Sequence, residues 1–264
     1  MRVMLGTPTL FRQPTVEYLM SVTKTANLLM QFGHTLDLCF VGGDAFIMKA
    51  RNGIVQSFIE TWKTEHPADV LLFIDDDQDW DEQAVLRIIQ DPHEIIGVAV
   101  PKKMDLDDKG IQTFNNVLLD TDDKGNCFVE NGLLRISQIG SGFMAIKRPA
   151  VEKLIKAYPQ RYSPGDGGLH PLHYCLFESK IIWDEKDDKV TGQFWGEDLV
   201  FCQKWVALGE KIWLDPNVTM SHIGRKTWQG NFCNFLQKHA AVELKPVHVE
   251  PIPETMAAIE SLAA

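Results

Sequence analysis

The chain has 264 residues, 45% of them hydrophobic and 23% charged, which is ample for a buried core and excludes a disordered polyelectrolyte. Its formal net charge of -10 disfavours a large basic surface gripping nucleic acid non-specifically, although short basic pairs leave a local groove open. No apolar run is long enough to span a bilayer, and five scattered cysteines without a Cys-x-x-Cys pair argue for reduced thiols in a cytoplasm, not a zinc knuckle or disulfide framework.

Arg2 to Gly6 is a short apolar strand running into the loop Gly6-Thr7-Pro8-Thr9, and the segment lacks the apolar core and cleavage site of a signal peptide. From Pro14 to Gly33 apolar residues recur at helical spacing, and Gly33 ends the run. Leu36 to Val41 is a second strand. Ala45 to Thr64 is a second helix with Ile47, Ile54, Phe58 and Trp62 on its apolar face. Val70 to Ile74 is wholly apolar and stops at three aspartates, the mark of a buried parallel strand. Asp81 to Gln90 is a third helix, and Ile95 to Val100 another apolar strand ending at Pro101. This alternation predicts an open α/β sheet with helices on both faces. Ligands bind such sheets beyond the carboxyl ends of the strands, so the loops at Thr7, Asp75 and Pro101 belong on one rim.

Residues 105–139 hold short strand-like pieces with acidic turns at Asp120 to Gly125. Gly140-Ser141-Gly142 precedes an apolar strand, Phe143 to Ile146, and Pro149 to Tyr158 is helical. Ser163 to Gly168 is a Gly- and Pro-rich loop. Glu197 to Leu208 has helical periodicity, capped by Gly209. Beyond His222 the chain turns basic and aromatic. Residues 246–264, with Pro246, Pro251 and Pro253 ahead of a short Ala-rich helix, form a tail that either docks on a partner subunit or stays loose.

Asp75-Asp76-Asp77 is the main chemical signal. Crowded carboxylates at the end of a buried strand repel one another unless a cation neutralises them, and Mg2+ or Mn2+ takes one or two carboxylates plus phosphate oxygens. The competing reading is an acidic helix start, since Asp81-Glu82 follow closely. His222, at the end of a strand-like stretch, is a candidate further ligand. Trp195-Gly196-Glu197-Asp198 offers two acids at a helix start, either caps or a general base with a partner that holds an acceptor hydroxyl, and Trp195 offers an apolar face. Arg51-Asn52 either meets phosphate and a base edge or is plain helix surface.

Taken in order, these motifs resemble the metal-dependent GT-A glycosyltransferases, particularly the family-two-like group, over roughly Arg2 to Phe232. The resemblance implies a Rossmann-like GT-A fold with a mixed, mostly parallel central sheet. It assigns residues 1–104 to the donor, 105–245 to the acceptor, and 246–264 to a tail. It implies that Thr7, Pro8, Thr9, Arg51, Asn52, Asp75 and Asp76 bind a nucleoside-diphosphate sugar, a UDP-sugar by preference. Arg225, Lys226 and Trp228 close over it. Asp75, Asp77 and His222 hold Mn2+ or Mg2+, and the triple aspartate leaves open which two acids do so. Asp198 is the inverting base, with Glu197 beside it, and Gly140, Ser141, Gly142 and Trp195 line the acceptor. The spans Val100-Pro101-Lys102-Lys103 and His222 to Trp228 look like those of small bacteriophage glycosyltransferases. That implies a host cytoplasm and an acceptor on DNA, a 5-hydroxymethylpyrimidine, gripped by Lys102, Lys103, Lys147, Arg148 and Arg225. A saccharide or small-molecule acceptor, a silent nucleotide-sugar binding module, and a nucleotidyltransferase are the alternatives, and an oligomer is left open.

Overall fold

Val70–Ile74 is buried at every position, as a wholly apolar run must be when helices cover both sides of it. Its side chains alternate, Leu71 and Phe73 entering one cluster and Val70, Leu72 and Ile74 the other, so one strand feeds two cores. The computed structural model describes residues 1–106, 112–186 and 189–239, and the expected tail, 246–264, lies outside them.

In chain order the elements are β1 (Arg2–Thr9), α1 (Val16–Gln31), β2 (Thr35–Gly42), α2 (Ile47–Thr61), β3 (Val70–Ile74), β4 (Gln78–Trp80), α3 (Glu82–Gln90), β5 (Ile95–Gly97), β6 (Leu118–Leu119), β7 (Val129–Glu130), β8 (Leu133–Gln138), β9 (Phe143–Lys147), α4 (Arg148–Ala157), β10 (Arg161–Tyr162), β11 (His173–Tyr174), β12 (Lys180–Lys186), β13 (Lys189–Trp195), α5 (Glu197–Val206), β14 (Ile212–Leu214), β15 (Thr219–Ile223), β16 (Thr227–Asn231) and α6 (Phe232–His239). The main sheet among the described residues runs β2-β1-β3-β9-β5-β14-β8-β6, with β7 also paired to β8. Only β9 and β8 oppose the rest, so the sheet is mixed and mostly parallel in direction. Helices α2, α4, α5 and α6 contribute to the core around Phe58, Phe73 and Trp205, while α1 and α3 contribute to the one around Tyr18, Trp80 and Phe143. Among the described residues, no helix is long and apolar enough to cross a membrane.

Several expectations are corrected. β1 runs on to Thr9 because β2 lies alongside it in register as far as Gly42, so Thr7, Pro8 and Thr9 are buried strand and not an open loop. β5 stops at Gly97; Val98 to Val100 stay buried, but the Val100 carbonyl accepts from the Asn115 N–H as the chain turns away. The basic groove does not assemble as expected. β9 opposes β3, pairing Phe143 with Ile74 and Lys147 with Val70. Lys147 and Arg148 therefore stand at the rim opposite Asp75, with Lys147 roughly 16 Å from it along the strand.

Candidate functional site

Strand direction gathers the site on one rim. β1 ends there at Thr9 and β3 at Ile74, and the reversed β9 brings its leading residues, Gly140-Ser141-Gly142, to the same edge. The Asp75 N–H donates to the Gly142 carbonyl at 3.0 Å. A Cβ on Gly142 would stand 2.6 Å from Gln78 Nε2 and 3.0 Å from Asp75 Oδ2, so any larger residue here would displace the ends of those two side chains.

The three aspartates then part company. Asp75 Oδ1 accepts from Arg51 Nη2 at 3.1 Å. Asp77 Oδ1 lies 3.3 Å from His222 Nε2, and its Oδ2 accepts from Lys103 Nζ at 2.5 Å. His222 arrives through the small sheet β16-β15-β4, in which it pairs with Gln78, one residue past Asp77. The Ile223 N–H donates to the Asp77 carbonyl at 2.7 Å and locks this register. Burial, with Asp77 and Asp75 adjacent, raises the pKa of Asp76, partly offset by Thr9. Burial also pushes Asp77 up, but hydrogen bonds from His222 and Lys103 outweigh it, and the net shift is downward.

Arg51 is 4% exposed and joins three segments. Besides Asp75 it donates from Nε to Glu197 Oε1 and from Nη1 to the Ser141 carbonyl, each at 3.3 Å. Burial alone would lower its pKa, but Asp75, Glu197 and Asp198 reverse this and the guanidinium stays charged. Asn52, 1% exposed, donates to the Phe177 carbonyl at 2.8 Å and accepts from the N–H groups of Phe177 and Leu176 at 2.9 and 3.2 Å. Both side chains point inward from α2, so Asn52, expected at a nucleotide base, is occupied inside the protein, and Arg51 is engaged by two carboxylates.

Asp198 stands at the start of α5. Its Oδ1 accepts from the Leu199 N–H at 2.8 Å, and its Oδ2 faces Gly140. Burial first, then the neighbouring Glu197 charge, raises its pKa, more than Leu199 and Arg51 lower it. A desolvated carboxyl facing a cavity has the character of a proton acceptor.

Arg51, Asp75, Gln78, Asn116, Asp198 and His222 line that one cavity, of about 220 Å³. Gln78 Oε1 and Ser141 Oγ, both buried and on the wall, have no hydrogen-bond partner among the described residues. Asn116 adopts φ +40°, a sparsely populated backbone conformation for a residue with a side chain. Gln78, Asn115 and Asn116 escape the sequence reading. Gln78 directly follows the acidic triplet and the Asn pair is a polar doublet, but no spacing ties 115–116 to residue 75.

The remaining expected residues are distributed around this centre. Thr7 Oγ1 bonds the Tyr18 hydroxyl, and Pro8 is buried. Thr9 borders a second hollow of about 450 Å³ with Arg12, Pro14 and Phe40. Lys102 is half-buried, held by its N–H to Thr113. Arg225 and Lys226 lie in the β15–β16 turn; Arg225 is exposed, and Lys226 pairs with Asp105 and sits 5.5 Å from the Trp228 ring centre. Trp228 pairs across from His222, and half-buried Trp195 ends β13.

No three His, Cys, Asp or Glu side chains stand together as metal ligands among the described residues. Of the expected trio, Asp77 and His222 meet, and Asp75 turns to Arg51. The pair nevertheless fits a divalent ion. His222 Nδ1 lies 2.8 Å from the Pro101 carbonyl, which only accepts, so Nδ1 carries a proton and Nε2 is the nitrogen turned toward the Asp77 carboxylate. With Nε2 deprotonated, this imidazole and carboxylate, completed by phosphate oxygens, would suit Mn2+ or Mg2+.

No family model and no curated protein matches the chain in sequence. Solved structures similar to it include A197 from STIV, at 14% identity and TM-score 0.49 over 96% of this chain and 98% of the other. A glycosyltransferase involved in the glycosylation of the major capsid of PBCV-1 matches at 10% identity and TM-score 0.30 over 57% and 62%. The inositol-1-phosphate CTP transferase from T. maritima matches at 11% and 0.39 over 84% and 88%. Likenesses this distant carry no argument about activity or substrate.

Proposed function

We propose that this chain is a metal-dependent glycosyltransferase that moves a sugar from a nucleoside-diphosphate sugar, with UDP as the favoured nucleotide, to an acceptor hydroxyl with inversion. The observation behind it is one polar cavity lined both by His222, which holds Asp77, and by Asp198, a carboxyl with a raised pKa. In this reading the nucleoside rests over Thr9, in the hollow beside Arg12 and Phe40, with its diphosphate toward Asp77 and His222. Those two side chains would hold a divalent ion, which would supply positive charge at the departing diphosphate. Lys103, Arg225 and Lys226 add cationic groups at the same place. Asp75, Gln78, Asn116 and Ser141 bond the sugar hydroxyls.

The adjacent acids of α5 divide their tasks. Glu197 is neutralised by Arg51, which fixes the start of the helix. Asp198 accepts the proton of the acceptor hydroxyl as that oxygen attacks the anomeric carbon from the face opposite the diphosphate. The test is a panel of nucleotide sugars with Mn2+, scored for release of nucleoside diphosphate. Asp77→Ala and Asp198→Ala are each expected to lose at least about 10²-fold in transfer while keeping the far-ultraviolet circular dichroism of the parent. Near-parental turnover by either variant removes that residue from its role. Release of pyrophosphate from a nucleoside triphosphate would make the chain a nucleotidyltransferase instead.

A further inference from the structure

The β12–β13 ribbon carries a bare aromatic face. Its register pairs Ile181 with Phe194 and Trp183 with Gly192, which puts all four on one side. Ile181 is 47% exposed, Trp183 63% and Phe194 68%. A Cβ on Gly192 would stand 2.9 Å from Trp183 Cζ3 and 3.0 Å from its Cε3. The indole therefore lies across the ribbon at the glycine and leaves its other face to solvent. On the opposite side of the ribbon Ile182 and Trp195 are half-buried.

The root of the ribbon is rigid and shared with the cavity. The Phe177 ring stacks on Phe201 of α5, centres 4.5 Å apart and planes 3° apart. Glu178 pairs with Lys204 of α5 at 2.6 Å, and Asn52 clasps the backbone at Leu176 and Phe177. At its other end β13 passes through Gly196 directly into Glu197 and Asp198. The aromatic face and the proton acceptor thus stand on one stem.

Charge selects the occupant. In the sequence, residues 184–189 hold four acids against two lysines, in a chain of net charge -10. A chain of this net charge repels a polyanion and does not repel an uncharged chain. Exposed flat rings offer apolar area to the hydrocarbon face of a sugar ring while its hydroxyls stay in water. We infer that Ile181, Trp183 and Phe194 form a docking platform for the acceptor, and that the acceptor is a neutral oligosaccharide. The inference rests on the glycosyl-transfer reading for the word acceptor, and its binding chemistry stands apart from it.

Native electrophoresis of the full chain through gels cast with dextran, mannan or xyloglucan tests the platform. At least one of these neutral polysaccharides is expected to retard the parent chain. Trp183→Ala and Phe194→Ala are expected to raise the dissociation constant about tenfold each, with circular dichroism confirming that the fold is kept. Trp183→Phe, which keeps a ring, is expected to recover most of the binding. The inference is overturned by no retardation in any gel, by equal retardation of parent and alanine variants, or by a ribbon-dependent shift of single-stranded DNA carrying 5-hydroxymethylcytosine. Donor breakdown is scored separately on the parent chain. Polysaccharide binding through the ribbon without nucleoside diphosphate release upholds the platform and sinks the transfer reading, while donor breakdown with no such binding does the reverse.

Discussion

As the proposed base, Asp198 would act only when unprotonated, and burial followed by the adjacent Glu197 charge raises its pKa. Transfer is therefore expected to fall on the acid side with a midpoint above the ordinary aspartate value of about 3.9. A profile of kcat/KM against pH measures this, and a midpoint at or below the ordinary value takes Asp198 out of its role. Arg51 from α2 is the cation that opposes the rise. Arg51→Met is expected to push the midpoint higher still. It also leaves the Asp75 and Glu197 carboxylates without their common counter-charge, at a cost of about 3 kcal/mol in unfolding free energy by urea titration. The Asp75-Asp76-Asp77 run is plain in the sequence, but its division of labour is not. Asp75 to Arg51 and Asp77 to His222 depend on side chains that reach the triplet from α2 and β15.

At the scale of elements, α3 is tied to the sheet by one ion pair. Arg87 Nε and Nη2 donate to Asp215 Oδ2, just past β14, at 3.2 and 3.0 Å, and the Asp215 side chain is 1% exposed. Asp215 Oδ1 also accepts from the Asn217 N–H at 2.9 Å. Asp215→Ala leaves the Arg87 charge beneath the helix without a partner, so a loss of about 3 kcal/mol is expected in the same titration. A change within measurement error would show that water replaces the carboxylate at no cost. Helices α1 and α3 are legible because their apolar period and their caps, Thr15 and Asp81, are local. β4, the β12–β13 ribbon and β16 are not, being short runs whose hydrogen bonds come from partners elsewhere in the chain.

Across the whole molecule, β9 lies between β3 and β5, so strands from before and after residue 105 share one sheet. Neither the expected donor portion nor the expected acceptor portion keeps its central pairings alone. Tryptophan fluorescence and far-ultraviolet circular dichroism are therefore expected to report one coincident urea transition, and two separated midpoints would mean that the portions are independent.

The alternation of apolar strands and amphipathic helices, the burial of Val70–Ile74 and the acids at its end follow from residues within a few positions of one another. Local periodicity is enough to set them, so the sequence by itself determined the α/β class and the rim that carries the acids. Strand direction is a different matter. It depends on which distant segment closes against which, and on the burial gained by doing so. Only the tertiary structure decided that β9 enters reversed, bringing Gly142 to Asp75 and sending Lys147 to the far rim. It alone decided that β15 pairs with β4, which sets His222 beside Asp77, and that Arg51 and Asn52 turn inward.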